Sequence, residues 1–193
     1  EAGIRKFTFL YKTKHFISAL KNRTLPAIII LRNEETMKLA IYPGSFDPIT
    51  KGHLDILKNA AGIFDKVIIA VAHNGEKHGF LSVEERVKLI KESIKDIPNT
   101  EVDAFEGLTI EYAKKHNAGI LIRGLRAVSD FEYEMQLSQA NSALCEDIKT
   151  VFLTTKPEYN FISSSTIKEI LNNGGDISKF VPKAVNDYLT RRK

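Results

Sequence analysis

From Lys38 onward, short apolar runs alternate with segments of helical period, and this alternation limits the possible folds more than any other feature of the chain. The run Lys66–Ala72 (KVIIAVA) is apolar at nearly every position, the pattern of a strand buried on both faces of a parallel sheet. Shorter runs at Lys38–Tyr42, Thr100–Ala104, Gly119–Ile122 and Lys149–Leu153 predict four further strands. Helical patterns are predicted near Lys51–Phe64, from the capping box Ser82-Val-Glu-Glu85 to about Lys95, over Leu108–His116 and near Ser129–Cys145. Two more helices are predicted at Ser164–Asn172 and Ile177–Arg191. Strand–helix alternation of this kind builds βαβ units, and so predicts an α/β fold: a Rossmann-like, doubly wound, five-stranded parallel sheet with helices on both faces.

Charge narrows the function classes once it is divided along the chain. The formal charge is +4, but residues 1–36 hold seven Lys/Arg and three Glu, leaving 21 basic and 21 acidic residues in 37–193. A balanced body gives no electrostatic footprint for bulk nucleic acid, so anion binding has to come from local arrangement. No apolar run approaches the roughly 20 residues that span a bilayer, so no membrane association is expected. The single cysteine, Cys145, allows no internal disulfide, which fits a reducing, cytoplasmic setting. Residues 1–36 lack clear periodicity and carry no acid between Glu1 and Glu34. Upstream-translated or tag sequence, a transit peptide and a genuine arm all fit. Met37, directly before the first strand, favours a natural start there, with 37–193 as the folded domain.

In a doubly wound sheet, ligands bind beyond the carboxyl ends of the strands where the winding reverses. The residues that follow the strands therefore test function. Strand one leads into Pro43-Gly44-Ser45-Phe46-Asp47-Pro48, strand two into His73-Asn-Gly-Glu-Lys77-His78, and strand four into Arg123-Gly124-Leu125-Arg126. Strand five leads to Phe161-Ile162-Ser163-Ser164-Ser165. Glycines, cations and hydroxyls collect at one rim, the inventory of a phosphate site.

Gly44 and Ser45 allow backbone N–H groups to turn toward a ligand, and Gly52 keeps a β-carbon out of the next helix's first turn, where free N–H groups attract anions. His53 in that turn can donate to the same anion, although a tight strand–helix turn with an exposed histidine would use similar residues. Arg123 and Arg126 have forked donors suited to phosphate, or could pair with nearby carboxylates such as Asp130 and Glu132. A buried Glu134 would need hydrogen-bond donors. One serine of 163–165 serves as an N-cap, and the other hydroxyls remain for phosphate oxygens. His73 and His78 lack a third ligand at metal-binding spacing.

Gly-Ser-Phe-Asp-Pro-x-x-x-Gly-His at residues 44–53 resembles the signature of the nucleotidyltransferase superfamily. With Ile122–Gln136 (IRGLRAVSDFEYEMQ) and Asn160–Ser165 (NFISSS), residues 37–193 resemble the bacterial phosphopantetheine adenylyltransferase family. The first segment is shared across the superfamily, whereas the second is specific to this one family; residues 1–36 have no counterpart. The resemblance implies transfer of an adenylyl group from ATP to 4′-phosphopantetheine, Mg²⁺ carried on the ATP phosphates, no protein metal cage, and a homohexamer. It implies that His53 stabilises the transition state and that Ser45, Lys77, Thr109 and Arg123 contact the acceptor. Ser45, Phe46, His53, Gly124, Leu125, Arg126, Glu134 and the stretch Tyr159, Asn160, Phe161, Ile162, Ser163, Ser164, Ser165 would contact ATP. Ser45 replaces a threonine common in the family, keeping the hydroxyl, and Tyr159 replaces a tryptophan found in some members. Two rivals are a nucleotidyltransferase with another phosphorylated acceptor, and a non-catalytic nucleotide-binding module on the same fold.

Overall fold

The structure, a computed structural model, describes residues 37–73, 79–126 and 128–192, all within the compact unit Met37–Lys193. Five parallel strands form one sheet: β1 (Leu39–Gly44), β2 (Lys66–His73), β3 (Thr100–Glu106), β4 (Ile120–Leu125) and β5 (Lys149–Thr154). Their order across the sheet is β3-β2-β1-β4-β5, so the winding reverses between β1 and β4. The helices are α1 (Lys51–Ala61), α2 (Val83–Ser93), α3 (Thr109–Lys115), α4 (Val128–Leu144), α5 (Ser164–Asn172) and α6 (Lys183–Arg191), with a 3₁₀ turn at Pro157–Tyr159.

Side-chain alternation along the central strands divides the core into two. Ala40 and Tyr42 of β1, with Val67, Ile69 and Val71 of β2, face the layer containing α1, α2, α5 and α6. Ile41, Ile68 and Ala70 face the other way, against Ile110, Tyr112 and Ala113 of α3. Both faces of β2 are therefore buried, which explains its unbroken apolar sequence. Each fully buried isoleucine of the two central strands, such as Ile41 of β1 or Ile69 of β2, contributes about 2 kcal/mol through removal from water.

Several boundaries differ from the sequence expectation; the third strand runs on to Glu106 and the first helix stops at Ala61, and three further differences have a clear cause. The first strand continues to Gly44 and the fourth to Leu125, because β1 pairs with β2 as far as Gly44↔Val71 and β4 with β5 as far as Leu125↔Thr154. Arg123 and Gly124 thus lie within a strand rather than after one. The last helix begins at Lys183, not Ile177, since Pro182 is its N-cap and has an extended backbone, ψ 153°, which interrupts any helix running through it. No described helix is long and apolar enough to cross a membrane.

The ladders also open the site. Between β1 and β4 the register runs only through Ala40↔Ile120 and Ile41↔Leu121, after which the two strands part. Pro43 lies beyond that point, where its missing N–H removes no ladder bond to β4. Its carbonyl instead accepts a hydrogen bond from Arg123 Nη1 at 3.3 Å. A crevice is thereby left at the carboxyl ends of the strands, at the point of reversal.

Candidate active site

The crevice is a cleft of about 290 Å³, lined by the β1 exit, the start of α1, the end of β4, Glu134 of α4 and the start of α5. Of the residues expected from the sequence, it brings together Ser45, Phe46, His53, Arg123, Gly124, Arg126, Glu134, Ile162, Ser163, Ser164 and Ser165. Leu125, Asn160, Phe161 and Thr109 do not line it, and Tyr159 packs beside the start of α1, its Cβ 3.6 Å from where a Gly52 β-carbon would stand. Lys77 and His78 fall outside the described residues. A larger depression of about 610 Å³ lies over the ends of β2 and β3, but Glu84, Glu85 and Glu106 in its lining make it a poor host for a polyphosphate.

His53 is fixed by a reciprocal cap. Thr50 is the N-cap of α1, and its hydroxyl accepts from His53 N at 3.3 Å while its own N–H donates to His53 Nδ1 at 3.1 Å. Histidine here takes the place that glutamate or glutamine holds in an ordinary capping box. Because Nδ1 is an acceptor, the neutral ring carries its proton on Nε2. Burial, aided by the Arg126 guanidinium, pushes the His53 pKa down to about 4. His53 is thus a neutral donor in a partly buried setting, not an exposed cation.

Two ion pairs set the charge of the cleft. Arg123 donates from Nε and Nη2 to the two oxygens of Glu134, at 2.5 and 2.7 Å, satisfying the carboxylate as its burial requires. Arg126 donates from Nε to Asp130 at 3.0 Å and from Nη1 to the Ile162 carbonyl at 3.0 Å, tying β4 to the loop before α5. Both arginines keep N–H groups for a ligand, since each guanidinium has five. Each is also matched by a carboxylate, so the pairs are formally neutral.

The remaining attraction for anions comes from helix termini. α1 and α5 both begin at the cleft, and neither carries an acid in its first turn. By contrast α2, which starts elsewhere, has Glu84 and Glu85 there, the usual complement to a helix N-terminus. At α5, Ser163 caps Thr166 N at 2.9 Å and Ser164 Oγ donates to the Pro48 carbonyl at 2.9 Å. Two of the three hydroxyls therefore have structural work, one more than the sequence suggested. Ser165 is exposed and its hydroxyl has no partner among the described residues.

Close packing sets the backbone around these groups. A β-carbon at Gly44 would lie 2.9 Å from the Phe46 ring, and one at Gly124 would lie 3.2 Å from Ile56 Cγ1. At Gly52 an added β-carbon would meet only ordinary contacts of 3.6–3.7 Å, so the protein itself does not demand glycine there. Asp47 accepts from Phe80 N at 2.8 Å and Leu81 N at 2.9 Å, and Lys168 of α5 stands 3.7 Å away. The Phe80 and Leu81 amides lie 33 and 34 residues from Asp47, and Thr50 was missed in the sequence. The spacing Thr-x-x-His at a helix start was the available signal for the latter.

A parallel sheet opened at its switch point, with two acid-free helix termini and paired arginines, is the arrangement of a nucleotidyltransferase. The Cytidylyltransferase-like family model matches residues 41–170. A phosphopantetheine adenylyltransferase of Lachnoclostridium phytofermentans is 56% identical over 149 residues, covering 77% of this chain and 91% of that protein. A second, from Caldanaerobacter subterraneus subsp. tengcongensis, is 53% identical over 156 residues, covering 81% and 98%. The chain belongs to the phosphopantetheine adenylyltransferase family. In fold alone it also resembles a solved structure described as "Putative Nicotinate-nucleotide Adenylyltransferase" from Vibrio parahaemolyticus, with a TM-score of 0.64, 21% identity and coverage of 80% and 93%.

Proposed function

We propose that the protein transfers the adenylyl group of ATP to 4′-phosphopantetheine, giving dephospho-coenzyme A and pyrophosphate in coenzyme A biosynthesis. The observation that carries this reading is the switch-point cleft, with its two acid-free helix termini, in a chain of this family. A phosphate oxygen of the acceptor attacks the α-phosphorus, and the bond to the β-phosphate bridging oxygen breaks as pyrophosphate leaves with the electron pair. The acceptor phosphate is ionised near neutral pH, so no general base is needed. Catalysis then consists of positioning and charge stabilisation.

In this reading Ser45 orients the acceptor phosphate, and Arg123 and Lys77 hold it, while the backbone at Thr109 supports the pantetheine arm. His53 donates from Nε2 to a non-bridging oxygen as charge shifts toward the leaving group. Phe46, Gly124, Leu125, Arg126, Glu134 and the segment 159–165 receive ATP, taken up as its Mg²⁺ complex. The cleft carboxylate Glu134 and nearby Asp130 are already engaged by arginines, which suits a metal held chiefly by phosphate oxygens. Assembly as a homohexamer, a cytoplasmic location and a non-catalytic role for residues 1–36 complete the proposal. Exposed Tyr133 and Leu144 on α4 are compatible with burial between copies.

The test is pyrophosphate release from ATP with 4′-phosphopantetheine, nicotinamide mononucleotide or glycerol phosphate as acceptor. The proposal expects turnover with the first alone, and a loss of about 10²–10³-fold in kcat for His53→Ala. Preference for another acceptor, or ATP binding without turnover on any of them, would overturn it.

A further inference from the structure

Arg86 of α2 is only 7% exposed, yet it pairs with no carboxylate among the described residues. Its guanidinium instead holds three carbonyls from three segments. Nη1 donates to Ser45 O at 2.8 Å and to Ala72 O at 3.2 Å, and Nε donates to Ser82 O at 3.3 Å. Taking a guanidinium out of water to meet only carbonyls among the described residues is costly, and an apolar side chain would fill the same space at lower cost. The geometry of the Ser45 contact supplies a reason for its presence.

The Ser45–Phe46 peptide is trans, so its C=O and N–H point in opposite directions. Anchoring Ser45 O on Arg86 therefore turns Phe46 N–H away from α2. Phe46 lines the cleft, and its N–H has no acceptor among the described residues. Its φ of 47° lies in the left-handed region, a conformation that surrounding structure has to enforce in a non-glycine residue. The Phe46 ring supplies part of that enforcement, packing edge-on to Tyr42 at 5.3 Å and to His53 at 5.2 Å. The Arg86 contact fixes the peptide plane itself.

We propose that Arg86 is a positioning residue for adenylyl transfer: by gripping Ser45 O, it fixes the Ser45–Phe46 peptide so that Phe46 N–H is a rigid donor to an oxygen of the transferring phosphate. The inference rests on the functional reading above but reaches a residue remote from the ligand. Lysine could restore the charge but not the planar fork that reaches several carbonyls. Charge alone and geometry therefore make different predictions.

The experiment uses the full chain with Arg86→Met, Arg86→Gln and Arg86→Lys, each checked for folding by its thermal transition. Selective ¹⁵N-phenylalanine labelling, with Phe46 assigned through Phe46→Leu, reports the Phe46 amide on titration with Mg²⁺·ATP. Expected are a large amide shift in the wild type, its loss in Arg86→Met, and a fall in kcat on the order of 10²-fold with acceptor KM changed less than about threefold. Arg86→Lys should fall between. A folded Arg86→Met with kcat within about twofold of wild type and the amide shift retained would overturn the proposal, as would full activity in Arg86→Lys. If Arg86→Met does not fold, Arg86→Gln and Arg86→Lys decide by the same two readouts. Should the wild type make no dephospho-coenzyme A, the functional reading fails, and the amide response to ATP still decides the role of Arg86.

Discussion

His53 should make the protein acid-sensitive by an amount that can be worked out in advance. Its folded-state pKa is about 4, against an unfolded value near 6.5, because burial and Arg126 disfavour the charged ring. A histidine with a lowered folded pKa contributes stability that is complete above 6.5 and lost as pH falls toward 4, where the unfolded chain takes up the proton first. The difference amounts to about 2 kcal/mol at pH 5 and about 3 kcal/mol at pH 4, as upper values for a ring that is not wholly shielded. His53→Gln isolates the effect. Glutamine at the same helix position can accept from Thr50 N through Oε1, so the cap survives and the variant should lie within about 1 kcal/mol of wild type at pH 7.5. Urea unfolding of both proteins at matched protomer concentration, between pH 7.5 and 4, cancels the other titrating groups. Relative to wild type, His53→Gln should gain about 2–3 kcal/mol across that range. A constant difference, or a ¹⁵N spectrum with the proton of the neutral ring on Nδ1, would refute both the burial argument and the assignment of Nε2–H as donor.

Three other perturbations follow from the same contacts. Thr50→Val removes the hydroxyl that caps His53 N and should lower stability by about 1 kcal/mol in urea titration, with kcat reduced because the ring is less firmly held. Glu134→Ala strands Arg123 in a site where its side chain is 20% exposed, and should cost about 2–3 kcal/mol by the same assay, with a raised KM for the acceptor. Gly44→Ala pushes a methyl against the Phe46 ring and should cost about 1–3 kcal/mol, read as a lower thermal transition, with activity falling as Phe46 shifts.

Much of the architecture can be read from local pattern because both faces of the central strands are covered. KVIIAVA could hardly be anything but a fully buried strand, and the box Ser82–Glu85 marks the start of α2, where Ser82 caps the helix. The ends of β1 and β4 were obscured by the very residues that make the site. Pro43, Gly44 and Gly124 carry turn chemistry, and only pairing with β2 and β5 keeps them extended. Ile177–Val181 has the apolar spacing of a helix, but Pro182 overrides it. At the site, Ser45, His53, Arg123 and Arg126 were legible because each lies in the last residues of a strand, just beyond one, or at a helix start, on one rim. Their partners were less so. Glu134 is 11 residues from Arg123, and the Arg86 contact with Ser45 spans 41. Such pairings exist only once α2 and α4 have packed on the sheet: Ile122–Gln136 holds both Arg123 and Glu134 without showing that they meet, and no short window holds Ser45 and Arg86.

Adenylyl transfer is tested most directly by following the label from [α-³²P]ATP mixed with 4′-phosphopantetheine and Mg²⁺. The account predicts that the α-phosphate appears in dephospho-coenzyme A, identified by mass, with one pyrophosphate released per product and no product from nicotinamide mononucleotide. Label retained in ATP or released as AMP, with no dephospho-coenzyme A formed, would contradict it.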